Sequence, residues 1–184
     1  MRKPIYKYPD FVAGVELDKT DSKRFWLKLI IDESKTESIV VILKNPSRAN
    51  KEVSDKTVYN VSSYIYHNRD KYDALKGIGS VFILNLIPHY ETYSNKLEPL
   101  KSEVICAENL STIYRLSGEY SKVVIAWGDH PSGLFKEYIA LKAQVIQSLT
   151  ENNNKVFYVG KLSKALNPKH GQIWAYKDAL ISYI

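Results

Sequence analysis

The sequence predicts an α/β domain with a central, mainly parallel four-stranded sheet flanked by helices. Two observations carry that prediction. Four runs, Glu37–Asn45, Gly79–Pro88, Lys122–Gly128 and Lys155–Leu162, are apolar with little alternation, as in strands buried on both faces. Stretches with apolar residues at three-and-four spacing separate them. Strands alternating with helices imply crossover connections and parallel pairing.

Taken in order, Arg24–Ser34 (RFWLKLIIDES) alternates and reads as a strand. It precedes the first buried run, so the segment before Glu37 can add an antiparallel strand or hairpin at the sheet edge. The first run breaks off in Lys44–Asn45–Pro46–Ser47. A helix follows, with Ser54 or Asp55 as its cap and Val58, Val61 and Ile65 inward. The second run ends at Pro88. The loop His89–Leu97 leads to a helix over roughly Glu98–Leu116, with Val104, Leu110 and Ile113 inward and a stop at Ser117–Gly118. After the third run, Asp129 can cap a helix with Pro131 in its first turn. Leu134, Tyr138, Leu141, Val145 and Leu149 form its stripe, and the segment Asn152–Lys155 ends it. Beyond the fourth run, the loop Ser163–Gly171 precedes a last helix over roughly Gln172–Ile184.

The 184 residues suit one domain over 1–184. With 45% hydrophobic and 25% charged residues the composition is that of a soluble globular chain. No apolar run approaches a membrane span, and the basic start MRKPIYKYPDF lacks a following apolar stretch. A cytoplasmic protein with no membrane partner is expected. The single cysteine, Cys106, excludes an internal disulfide and a cysteine metal site, and reads as a small core residue. The net charge of +6 is compatible with a polyanionic partner, although no dense Lys/Arg block occurs.

In a parallel α/β sheet, ligands bind outside the carboxyl ends of the strands. The residues found there are Asn45–Pro46–Ser47, Asn85, Trp127–Gly128–Asp129–His130, and Asn167–Pro168–Lys169–His170. Neither a phosphate-binding loop nor a dinucleotide fingerprint is present, which argues against nucleotide-triphosphate and dinucleotide enzymes. His67, His89 and His130 show no ligand spacing, so no metal and no cofactor is expected. Asn45 reads either as a turn former before proline or as a working side chain. Asn85, an amide inside an apolar run, is either a structural hydrogen bonder or a ligand reader.

The order of these pieces, strand–NPS, strand–LN, strand–WG and a late loop with histidine, resembles the uracil-DNA glycosylase superfamily. More closely, the segment from Ile42 to His170 resembles the uncharacterised bacterial domain-of-unknown-function family number 1643. The matching pieces are Leu43 to Ala49, Asp55 with Thr57, Asn85–Leu86, Trp127–Gly128 and Pro168–Lys169–His170. The resemblance implies a glycosylase-like fold and a set of roles. Asn45 would take the catalytic place that positions the attacking water, with Pro46 and Ser47 beside it in the base pocket. Asn85 would read the edge of an extruded base. His170 would stabilise charge on the departing base, and Trp127–Gly128 is a structural mark. Relatives in bacteria and on mobile genetic elements imply a place in DNA repair, element replication or defence.

The departures from that pattern set the functional expectation. Asn45 cannot accept a proton, and general-base help is worth about 10²–10⁴ in rate. Lys44 and Ser47 flank the first motif, and the late loop reads His170–Gly171–Gln172. The expected protein is therefore a divergent pseudo-enzyme, inactive on ordinary uracil-DNA, that binds DNA or a nucleobase. One alternative is an active glycosylase for a modified base. Another is a non-enzymatic module that binds a protein partner or forms a homo-oligomer through its tyrosine-rich surface.

Overall fold

The computed structural model of the chain describes residues 6–91 and 96–183. Along it run strands β1 (Gly14–Lys19), β2 (Arg24–Ile30) and β3 (Glu37–Leu43), helix α1 (Lys56–Asn68), β4 (Ile78–Asn85), α2 (Ala107–Glu119), β5 (Lys122–Ile125), α3 (Phe135–Glu151), β6 (Lys155–Val159) and β7 (Leu180–Ser182). All seven strands belong to one sheet, in the order β1-β2-β4-β3-β5-β6-β7. The four expected parallel strands sit together at its centre, with β3 paired to both β4 and β5, and β5 to β6. The sheet is larger than the expected four strands. Antiparallel β2 and β1 extend one edge, and antiparallel β7 extends the other.

The apolar runs fold this way because both faces of the central strands are covered. Ile39, Val41 and Leu43 of β3 join Val58, Val61 and Ile65 of α1 in one core layer. Val40 and Ile42 join Ile113 and Leu116 of α2 and Tyr138 and Leu141 of α3 in the other. Each such side chain contributes roughly 1.5–3 kcal/mol by leaving water. Asp55 caps α1, its carboxylate accepting from the Val58 N–H at 2.9 Å, which settles the choice between Ser54 and Asp55.

Three expected elements differ. The last helix over Gln172–Ile184 is absent; a short 3₁₀ turn (Gly171–Ile173) is followed by β7, and Ile184 lies outside the described residues. Asp178 explains the change. Its carboxylate accepts from the Ala175 N–H and from Lys169 Nζ, closing a turn that sends the chain back along β6. The helix expected over Glu98–Leu116 starts later, at Ala107, after a 3₁₀ turn at Glu98–Leu100 with Pro99 in it. Cys106 precedes that helix with extended backbone and is only half-buried, not a core residue. The helix expected to begin at Asp129 starts at Phe135, because Gly133 turns the chain through a positive φ of 76°. Of the expected loop His89–Leu97, residues 92–95 lie outside the described residues.

Candidate functional site

Connections leave the central strands in opposite directions. The chain passes from β3 to β4 on one side and from β5 to β6 on the other. The crevice between the carboxyl ends of β3 and β5 is therefore a topological switch point, where parallel α/β sheets bind ligands. A cavity of about 700 Å³ opens beside it, lined by Gly128, Asp129, Ser163 and His170, with Lys177 and Ile181 on its far wall. That far wall is carried by the turn before β7 and by β7 itself.

Gly128 makes the crevice narrow. Its φ is 68°, a conformation that suits glycine, and a Cβ there would stand 3.1 Å from Cβ of His170. The Gly128 N–H donates to the Pro168 carbonyl at 3.0 Å, and the Gly171 N–H to the Ala126 carbonyl at 3.4 Å. A Cβ on Gly171 would meet Val61 and Leu43. Glycines at 128 and 171 thus let the histidine loop lie directly on the strand ends. Trp127 is buried, and the Tyr138 hydroxyl donates to the Trp127 carbonyl at 2.9 Å and the Gly128 carbonyl at 3.2 Å. This ties the strand end to α3.

His170 is a neutral donor. Its Nδ1 accepts from the Gln172 N–H at 3.2 Å, which puts the ring proton on Nε2. Burial, with the nearby Lys44 ammonium adding to it, pushes the imidazole pKa from 6.5 down to about 4. Lys44 is itself pushed below the usual lysine range by burial, against the opposing pull of Asp129.

Asp129 is clamped on one oxygen. Its Oδ1 accepts from Ser163 Oγ at 2.6 Å and from Asn167 Nδ2 at 2.7 Å. Asn167 is buried, and its Oδ1 accepts from Lys142 Nζ, so the amide can face Asp129 only with its NH₂. Those two hydrogen bonds, then Lys44 and His130, hold the Asp129 carboxyl below the usual carboxylate range.

The other residues expected to act stand outside this cavity's described lining. Asn45 follows β3 directly, and its Nδ2 donates to the Pro46 and Glu91 carbonyls. Since the Glu91 N–H donates back to the Pro46 carbonyl at 3.1 Å, Asn45 and Pro46 clip the loop after β3 to the loop after β4. Ser47 is half-buried in the same loop. Asn85 is the last residue of β4, beside Leu43 of β3, and is 0% exposed. Neither of its side-chain amide atoms has a partner among the described residues. The structure therefore brings His170 and Gly128 together at the cavity, places Asn45, Pro46 and Ser47 in the neighbouring loop, and encloses Asn85.

The loop after β3 is held from behind by Arg24, 1% exposed, whose Nη1 donates to the Ala49 carbonyl at 3.0 Å. The Tyr8 hydroxyl donates to the Asn50 carbonyl at 2.6 Å. Asp129 and Asn167 were visible as strand-end residues, but nothing local announced that they, Ser163 and Lys142 form one chain of hydrogen bonds. Among the described residues no cluster of His, Cys, Asp or Glu could hold a metal ion, and no helix is long and apolar enough to cross a membrane.

Residues 24–171 match the model of a family described as a protein of unknown function (DUF1643). No curated protein and no solved structure matches the chain.

Proposed function

The chain belongs to that DUF1643 family, and from this premise we propose a uracil-DNA glycosylase-like protein that binds a nucleobase of DNA in the crevice and does not excise ordinary uracil. The observation that carries the reading is His170. A neutral imidazole with its proton on Nε2, lining a cavity beside the switch point of a parallel sheet, is a donor suited to a base carbonyl. Asn85 has donor and acceptor both unmet among the described residues but is 0% exposed, so it would read a base edge only where the end of β4 opens to the ligand.

The histidine loop and the segment before it suit a nucleic acid. Lys161 and Lys164 stand ahead of Leu166, which is 72% exposed and held at a φ of 56°, while Lys169 is paired with Asp178. Cations there would meet phosphates, and an exposed apolar side chain would rest on a base. Excision is disfavoured because Asn45, in the water-positioning place, has no basic group and spends its Nδ2 on two carbonyls.

The test combines two assays on single- and double-stranded oligonucleotides carrying uracil or modified pyrimidines. Binding that weakens steeply with salt, with no abasic sites after alkaline treatment, is expected. Abasic sites abolished in Asn85→Ala would make the protein a glycosylase and name its base. Salt-insensitive or absent binding to every oligonucleotide would remove the nucleic-acid reading.

A further inference from the structure

We propose that Asp129 is the acceptor by which this cavity selects a base edge that carries an N–H, with His170 Nε2 donating to the carbonyl beside it. The ligand class is a nitrogen heterocycle with an N–H next to C=O, as at N3 and C2 of uracil or thymine. The inference rests on the reading of the cavity as a nucleobase site and names what that site demands of its ligand.

Asp129 and His170 line the same cavity, from adjoining pieces of backbone, since a Cβ on Gly128 would touch His170. The carboxylate is oriented before any ligand arrives. Ser163 and Asn167 both donate to Oδ1, and Oδ2 has no hydrogen-bond partner among the described residues. Lys142 fixes the Asn167 amide, so the clamp cannot invert. The carboxyl is held ionised at neutral pH by these same donors and by Lys44. An ionised carboxylate has no proton to offer, so only a donor can face it without loss. The His170 Nε2–H, equally fixed by the Gln172 N–H on its other nitrogen, needs an acceptor. One acceptor beside one donor is complementary to an N–H beside a carbonyl. Lys44, near both residues, balances the carboxylate's charge. The same carboxylate opposes negative charge on a base, which is what base excision builds up, so it disfavours excision in addition to the missing base at Asn45.

The experiment measures binding of the full chain to an oligonucleotide with one uracil and to the same strand with N3-methyluracil. Wild type is expected to lose about tenfold or more in affinity on methylation, the cost of one charge-assisted hydrogen bond. In Asp129→Asn the clamp must keep the amide oxygen, so its NH₂ faces the ligand. Discrimination between the two strands should then fall to within about threefold, while cytosine, whose N3 is an acceptor, gains. Ser163→Ala, which removes one clamp, reads the same role if Asp129→Asn does not fold, and should shrink the discrimination. Wild-type binding indifferent to N3-methylation overturns the inference and leaves the cavity's nucleobase reading standing. Discrimination intact in a folded Asp129→Asn overturns the part assigned to Asp129. Binding to no base-containing strand removes the underlying reading, and the inference with it.

Discussion

Two buried asparagines stand at the same end of the sheet and live by opposite rules. Asn167 has both amide atoms engaged, with Lys142 on its oxygen and Asp129 on its nitrogen. Asn85 has neither engaged among the described residues. Around Asn167 the structure is open, charged and oriented, with a cavity beside it. Around Asn85 it is closed, next to buried Leu43 at the covered end of β3. A buried amide that is paired positions its neighbours, whereas an unpaired one costs roughly 1–3 kcal/mol wherever it sits. The open side is thus organised at little expense, and the closed side carries an expense that only a partner would relieve.

The sharpest way to separate the two sides is acid. The His170 pKa is about 4 in the folded protein against an ordinary 6.5. Between those values the unfolded chain takes up a proton that the folded chain refuses. Stability from His170 is therefore complete above pH 6.5 and lost as pH falls towards 4, roughly 3 kcal/mol in all. Urea unfolding at pH 7 and pH 4.5 reads it directly. His170→Asn, which keeps an acceptor for the Gln172 N–H and does not titrate, should flatten the difference. An unchanged pH dependence would mean that the ring protonates freely in the fold.

Next comes the paired amide. Asn167→Ala should lose about 2 kcal/mol, because Lys142 and Asp129 both lose a partner. The unpaired amide should respond the other way. Asn85→Leu, similar in shape and apolar, should raise the stability of the unliganded protein by about 1–2 kcal/mol. Chemical denaturation of both variants tests the contrast, and a large loss in Asn85→Leu would place a bound water on that amide. Smallest is Ser163→Ala, expected to cost about 0.5–1 kcal/mol, since solvent can replace its bond to the exposed Asp129 carboxylate. A change in thermal midpoint of a few degrees is the corresponding readout.

The parallel centre of the sheet was legible because each of its strands is a continuous apolar run, and burial on both faces leaves that mark. β7 left no such mark. It is three residues long, its Ile181 is partly exposed, and its pairing follows from a turn closed by Asp178 and Lys169. The edge was legible as alternation at β2, and the antiparallel hairpin that β1 and β2 form there is one of the two expected additions, although no residues were assigned to β1. Within the site, strand-end position singled out Asn45, Asn85 and His170, since topology alone selects those places. Asp129 was misread as a helix cap because an acidic residue shortly before a proline fits one. The turn at Gly133 and the reach of Ser163 and Asn167, more than thirty residues on, decide otherwise. Contacts at that separation leave no periodicity to read.

The far wall of the cavity has a practical consequence for anyone preparing the protein. The family match stops at Gly171, yet Lys177, Asp178 and Ile181 bound the cavity and β7 covers the edge of β6. An expression clone ended where the match ends would leave Lys169 without Asp178 and β6 with a bare edge. Such a fragment would invite self-association, and its failure to bind would say nothing about the intact molecule.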